Sequence, residues 1–351
     1  MFVGLNCTSI EHASMNPARL VFCGGGTRCT VFLHALVELE RSGRLSNVRE
    51  YWGTSAGALV ASLYALSKSA TTLKTVMYSI DYTKFRDMDI SNLFSITSSW
   101  GLDDGSSLVR EVERIFEQVE PGAKHKVLRD VPELNIVVSD LNLRETVVCN
   151  ANNFPTLRIT DAIRASMSLP IFFRPFINPV NGHYWVDGAV RANFPWAQLP
   201  SDEARRESLG FTFEKHTDDG PKTFMEYVFS MIHFDEPKKF KQLKQTWSSN
   251  ILFFPSPPFP PWFLRLKPAD YELLETVGTN VARDWLLMHP ASSAGTPEIR
   301  IASFHPRTRS FSPVGRKIGL MDSLIPSPEP SRDSSQPQSL RTGLSCRRWS
   351  V

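Results

Sequence analysis

Apolar positions along this chain fall into short buried runs that alternate with segments of helical spacing. Arg19-Leu20-Val21-Phe22-Cys23 is the first run and ends in Gly24-Gly25-Gly26, which predicts a buried strand entering a glycine turn. From Thr30 to Leu39, Val31, His34, Ala35, Leu36 and Leu39 share one helical stripe, with Glu38 and Glu40 on the wet side and Gly43 placed as a C-cap. Val48 to Trp52 predicts the next strand, and the small apolar residues Ala58 to Leu66 predict a buried helix. Strand, helix and strand in this order form a βαβ unit, which builds parallel sheet through a right-handed crossover.

Further along, Thr71 to Tyr78 has helical spacing, Met88 to Trp100 reads as a Ser-rich loop, and Gly101 to Gly105 reads as a turn. Ser106 to Gln118 places Leu108, Val112, Ile115 and Phe116 on one face with charges opposite, an amphipathic helix. Leu134 to Asp140 and Glu145 to Cys149 predict two strands around a turn at Asn142. Thr160 is the expected N-cap of a helix through Ala165 and Met167, and Pro170 stops it. Phe172, Phe173 and Phe176 line a core or a pocket, Tyr184 to Asp187 is a strand entering a glycine turn, and Ser208 to Phe213 is another strand. Lys222 to His233 and Ala269 to Leu287 complete the expected helices, and no internal repeat is visible.

Composition narrows the class. The 351 residues are 42% hydrophobic and 11% aromatic, enough for a large core. From Arg332 onward, four arginines against one aspartate account for the whole formal charge of +3, so the body is near neutral and nothing argues for nucleic acid. The five cysteines (Cys7, Cys23, Cys29, Cys149 and Cys346) are unclustered, have no metal-ligand spacing and fit a reduced, cytoplasmic setting. Residues 1–17 form a polar lead-in without the pattern of a signal peptide, residues 18–308 carry the patterned domain, and residues 309–351 are a Ser/Pro/Arg-rich tail, read as disordered from 325 onward. No run reaches the roughly 18 apolar residues of a spanning helix. Residues 238–263 combine Lys238-Lys239-Phe240-Lys241 with the aromatic, proline-rich Pro257 to Phe263. This region reads either as a peripheral lipid-facing surface or as a solvated helix followed by a packed loop.

Three stretches carry candidate chemistry. Gly53-Thr54-Ser55-Ala56-Gly57 is a Gly-x-Ser-x-Gly turn between a strand and a buried helix, a context that exposes a serine nucleophile at a helix N-terminus. Gly24-Gly25-Gly26-Thr27-Arg28 lacks the spacing of a phosphate cradle and of a dinucleotide fingerprint. It reads either as a tight structural turn or as an oxyanion hole, with Arg28 bracing the loop or adding positive potential. Asp187-Gly188 reads either as a common turn dipeptide or as a carboxylate at a strand end, placed to take a serine proton. His183 is an alternative base four residues upstream of Asp187, and His34 lies on a core-facing stripe as a packed histidine.

Together, in this order and each at a strand end, the three stretches resemble the patatin-like phospholipase family. Gly24 to Arg28 is similar to its Gly-Gly-Gly-x-Arg oxyanion loop, Gly53 to Gly57 to its nucleophile elbow, and Asp187-Gly188-Ala189 to its Asp-Gly-Gly/Ala motif. Ala162 to Pro170 is similar to the stretch which that family carries before its aspartate. The likeness covers roughly residues 18–290. It implies a three-layer α/β/α fold with a mainly parallel central sheet and a Ser55–Asp187 dyad in place of a triad. It also implies an oxyanion site on the Gly24–Arg28 loop, a lipid acyl ester substrate, and no metal or cofactor. Cys29 departs from the small residue, most often glycine, that follows the family's arginine, which opens a second reading: a catalytically impaired lipid- or partner-binding relative. A hydrolase with a histidine-containing triad is a third. An ordinary aspartate, at about 3.9, is too acidic for a base near pH 7, and burial is the means by which such a carboxyl rises.

Overall fold

The computed structural model describes residues 16–85, 96–214, 220–232 and 236–290. The lead-in 1–15, most of the expected loop at 88–100, His233 and the 309–351 tail lie outside the described residues. β1 (Arg19–Phe22) leads through a 3₁₀ turn (Gly26–Thr30) into α1 (Val31–Arg41). β2 (Glu50–Thr54) runs directly into α2 (Ala56–Ser67), and α3 (Ala70–Tyr78) and α4 (Ile96–Ser99) follow. Next come β3 (Gly101–Asp103), α5 (Ser106–Val119), β4 (Leu134–Asp140), β5 (Glu145–Cys149) and α6 (Ile159–Ser166). β6 (Ile171–Phe173), β7 (Phe176–Ile177), β8 (Tyr184–Asp187), α7 (Ala189–Ala192), α8 (Asp202–Arg206) and β9 (Ser208–Phe213) continue the chain. It closes with α9 (Phe224–Ile232), α10 (Glu236–Thr246), β10 (Ile251–Phe254) and α11 (Pro268–Met288).

The main sheet runs β10-β9-β1-β2-β4-β8-β7, with β5 on β4, and is parallel from β10 to β4. Its strands alternate strictly between two faces, as a sheet buried on both sides requires. Leu20, Phe22, Tyr51, Ile136, Val138, Leu252 and Phe254 belong to the larger core. Their neighbours Val21, Trp52, Val137 and Ile251 pack with Trp196 and Leu199 in a smaller one. The large core lies under α1, α2, α3, α5 and α11, and its aromatic centre stacks Phe32 against Phe213 at 5.1 Å between ring centroids. Burying each such ring contributes on the order of 1.5–3 kcal/mol. The second helical layer is thinner: the 3₁₀ turn Pro195–Gln198 supplies Trp196, and Leu243 and Trp247 pack beside it.

Two local expectations change, and one open alternative takes a side. The segment Gly101 to Gly105 is a turn only at Asp104-Gly105, since Gly101–Asp103 pairs in parallel with β6, a partner far along the chain. Thr160 is not the N-cap of α6. Arg158 occupies that position, its guanidinium holding Asp161 at 2.7 Å and Glu113 at 2.8 Å, while Thr160 is buried. The Pro257 to Phe263 stretch takes its packed reading: Phe259 is buried and Trp262 stacks on Phe229 at 4.8 Å. No described helix is long and apolar enough to cross a membrane.

Candidate active site

β2 ends at Thr54 and α2 begins at Ala56, so Ser55 alone must reverse the chain, and it does so at φ 55° and ψ −130°. Such a backbone costs on the order of 1–3 kcal/mol and persists only where its surroundings over-determine it. Two of those surroundings are visible. Gly57 lies so close to the backbone carbonyls of Phe22 and Cys23 that a Cβ would run into both, which lets α2 pack down on β1. The Ser55 amide donates to Ser166 Oγ at 2.8 Å, and that hydroxyl donates its own proton to the Val137 carbonyl at 2.6 Å.

Register brings the aspartate to the serine. β5 occupies one edge of β4 along Ile136 to Asp140, so β2 and β8 share the other edge. β2 arrives parallel and ends with Thr54 opposite Val137, and β8 arrives antiparallel and ends with Asp187 opposite Val138. The two strands thus meet end to end at adjacent residues of β4. Ser55 Oγ donates to Asp187 Oδ2 at 2.7 Å, and the Ala189 amide donates to Asp187 Oδ1 at 2.8 Å. Burial pushes the Asp187 carboxyl up to about 7 against the pull of the Ala189 and Ser55 hydrogen bonds.

The glycine loop closes the third side. The Gly24 amide donates to the Asn193 carbonyl at 3.0 Å and the Thr27 amide to the Pro261 carbonyl at 3.3 Å. The Gly25 and Gly26 amides have no protein acceptor among the described residues. Gly26 sits at φ +58° with its α-carbon against the Pro261 carbonyl, leaving no room for a side chain. Arg28 braces the loop, its Nε donating to the Gly25 carbonyl at 3.4 Å and its guanidinium lying 5.1 Å from the Phe213 ring centroid. Cys29 is buried beneath this loop, its thiol donating to the Cys23 carbonyl at 3.6 Å. Burial raises that thiol well above its ordinary value and keeps it neutral.

Gly24, Gly25, Gly26, Thr27, Arg28, Ser55 and Asp187 all line one cavity of about 1680 Å³, and Cys29 is not among its lining residues. The structure therefore brings the three sequence motifs into one site. Among the described residues, no histidine is in hydrogen-bond contact with the serine or the aspartate. His183 Nδ1 pairs with Asp140 at 2.8 Å, and His34 is buried against the Tyr78 hydroxyl at 2.7 Å with its pKa lowered to about 4 by burial. Ser166, Asn193 and Pro261 were not singled out from the sequence. The latter two act through backbone carbonyls, which carry no residue signature, and Ser166 stood only inside the stretch Ala162 to Pro170.

Comparison with known proteins places this geometry. A model of the patatin-like phospholipase family matches residues 20–200. An uncharacterised protein of Acanthamoeba polyphaga mimivirus is 25% identical over 237 residues, which cover 64% of this chain and 78% of that protein. Uncharacterised YqhO of Bacillus subtilis is 27% identical over 259 residues, 67% of this chain and 86% of YqhO. Patatin-like phospholipase domain-containing protein 6 of Homo sapiens is 28% identical over 194 residues, 54% of this chain but 12% of that much longer protein. The crystal structure of VipD from Legionella pneumophila shares the fold, with a TM-score of 0.53 and 16% identity over 78% of this chain and 67% of VipD. The family match spans more than half of the chain and contains the glycine loop, Ser55 and Asp187; this chain belongs to the patatin-like phospholipase family.

Proposed function

We propose that the chain is a lipid acyl hydrolase of phospholipase A type, cleaving carboxylic esters through an acyl-enzyme on Ser55 with Asp187 as general base. The observation that carries this reading is the 2.7 Å hydrogen bond from a strained, helix-capping Ser55 to a buried aspartate. As carboxylate, Asp187 takes the Ser55 proton while Oγ attacks the ester carbonyl. The developing oxyanion meets the Gly25 and Gly26 amides and the positive end of α2. Collapse of the tetrahedral intermediate releases the alcohol, which receives the proton from Asp187. Asp187 then deprotonates water, water attacks the acyl-enzyme, and the fatty acid leaves with Ser55 restored. The cavity exceeds the roughly 300–1,000 Å³ of sites for drug-sized ligands, and Leu59, Met77, Phe85, Leu108 and Phe172 give it apolar walls suited to acyl chains.

Two observations weigh against the competing readings. The Cys29 thiol is directed at the Cys23 carbonyl and lies outside the cavity lining, which supports a loop free to bind an oxyanion. His183 is engaged by Asp140 and stands apart from the dyad.

The test is hydrolysis of a panel of phospholipid, lysophospholipid, neutral glyceride and p-nitrophenyl acyl esters, followed by a pH profile on whichever is cleaved. The base must be ionised in the free enzyme, so kcat/KM should rise with pH through about 7 and level off above it. A profile that is flat or falling across neutrality would contradict Asp187 as base.

A second variant probes the support of the elbow. Ser166→Ala orphans the Ser55 amide and the Val137 carbonyl, both held by that one hydroxyl. Misplacing the nucleophile by about 1 Å costs roughly a hundredfold, so kcat should fall on that order with KM little changed and the circular dichroism spectrum retained.

A further inference from the structure

α9 is amphipathic in an inverted sense. Phe229 points inward onto Trp262, while Phe224, Tyr227 and Met231, spaced i, i+3 and i+7, form a stripe on the opposite face. These three residues are 68%, 50% and 59% exposed. Large side chains aligned in this way on a surface helix mark a contact face. Its position says with what. Met231 belongs at once to the stripe and to the lining of the Ser55 cavity, so the stripe continues into the cavity mouth. On α10, Lys238, Lys239 and Lys241 are exposed, and Lys239 and Phe240 also line the cavity. An apolar stripe beside a row of lysines is complementary to a bilayer with anionic headgroups, the rings entering the acyl boundary and the ammonium groups remaining at the phosphates.

We propose that the α9 stripe and the α10 lysines form the face by which this protein docks on an anionic lipid surface, with the cavity mouth opening onto that surface. This rests on the lipid acyl hydrolase reading for its purpose, since an ester withdrawn from a bilayer must pass the mouth without crossing water. It also shifts the apolar part of the lipid contact: the aromatic Pro257 to Phe263 loop is packed against the glycine loop, whereas Phe224, Tyr227 and Met231 of α9 are exposed beside the cavity.

Flotation with vesicles of phosphatidylcholine, with and without phosphatidylserine, tests the docking on the full chain. Wild type should float with both and more strongly with phosphatidylserine present. Phe224→Ser with Tyr227→Ser should lose flotation on both kinds of vesicle. Lys238→Glu with Lys241→Glu should lower binding to phosphatidylserine vesicles at least about tenfold and leave the weaker phosphatidylcholine binding in place. None of these four residues lines the cavity, so hydrolysis of a short-chain soluble ester should match wild type in both variants. Wild-type protein that does not float, or variants that float as wild type does, would overturn the proposal. So would a stripe that proves by size-exclusion chromatography to hold two copies of this chain together. If wild type floats as expected but cleaves no ester, the docking face stands and the hydrolase reading fails.

Discussion

Ser55→Ala is expected to lower lipid-ester hydrolysis by at least about a thousandfold, the scale on which removal of a catalytic nucleophile acts. The cavity, the loop amides and the helix terminus all survive the change, so residual rate should come from binding and electrostatics alone. The fold should survive as well. Alanine keeps the Cβ that packs against Gly24 and the amide that donates to Ser166. What disappears is one hydrogen bond to Asp187, and with it one of the two contacts that hold the carboxyl down. Initial rates on the best ester of the panel, with near-ultraviolet circular dichroism as the control for folding, measure this directly. A variant retaining a tenth of wild-type activity would remove Ser55 from the chemistry.

Asp187→Asn should be as damaging to turnover and yet improve stability in basic solution. Asparagine accepts the same Ala189 amide but takes up no proton, so the loss of rate should again reach at least about a thousandfold. The stability effect follows from linkage. Folding raises the Asp187 carboxyl to about 7, from an ordinary value of about 3.9. The folded state therefore binds a proton more tightly than the unfolded chain. The stabilisation this provides is complete below the unfolded value and is lost as pH rises to the folded one. At pH 8 the wild type carries the full cost of an ionised, buried carboxylate, and asparagine does not. The variant should melt higher than wild type at pH 8, with the difference shrinking toward pH 5. Thermal melts at the two pH values decide it, and a variant less stable at pH 8 than at pH 5 relative to wild type would contradict the burial argument.

Much of this site was legible because its parts are local. Each motif combines glycines with one chemical residue at the end of an apolar strand, and the strands β4 and β5 coincide with their runs of β-branched residues. What was not legible depends on partners distant in sequence. The pairing of Gly101–Asp103 with β6 hides in a stretch whose local signal is a turn. α6 starts after Arg158, whose guanidinium reaches Glu113 and Asp161, and the buried Thr160 lies one position inside it. The meeting of β2 and β8 on one edge of β4 places Ser55 and Asp187 within a hydrogen bond, and no spacing along the chain encodes that junction. The elevation of the Asp187 carboxyl comes from burial by surrounding elements, and the Cys29 thiol is directed at the Cys23 carbonyl by the fold of the 3₁₀ turn that carries it. Both answer questions that residue identity alone raises without resolving.

The central claim is that Ser55 is a nucleophile activated by Asp187. Its most direct test is mass-spectrometric mapping of the adduct formed with a long-chain fluorophosphonate, timed at pH 5 and pH 8 in wild type and in Asp187→Asn. A single adduct on the peptide bearing Ser55, formed faster at pH 8 than at pH 5 and nearly absent in the asparagine variant, is the expected result. An adduct on another residue, or one on Ser55 that forms equally fast without the aspartate, would contradict it.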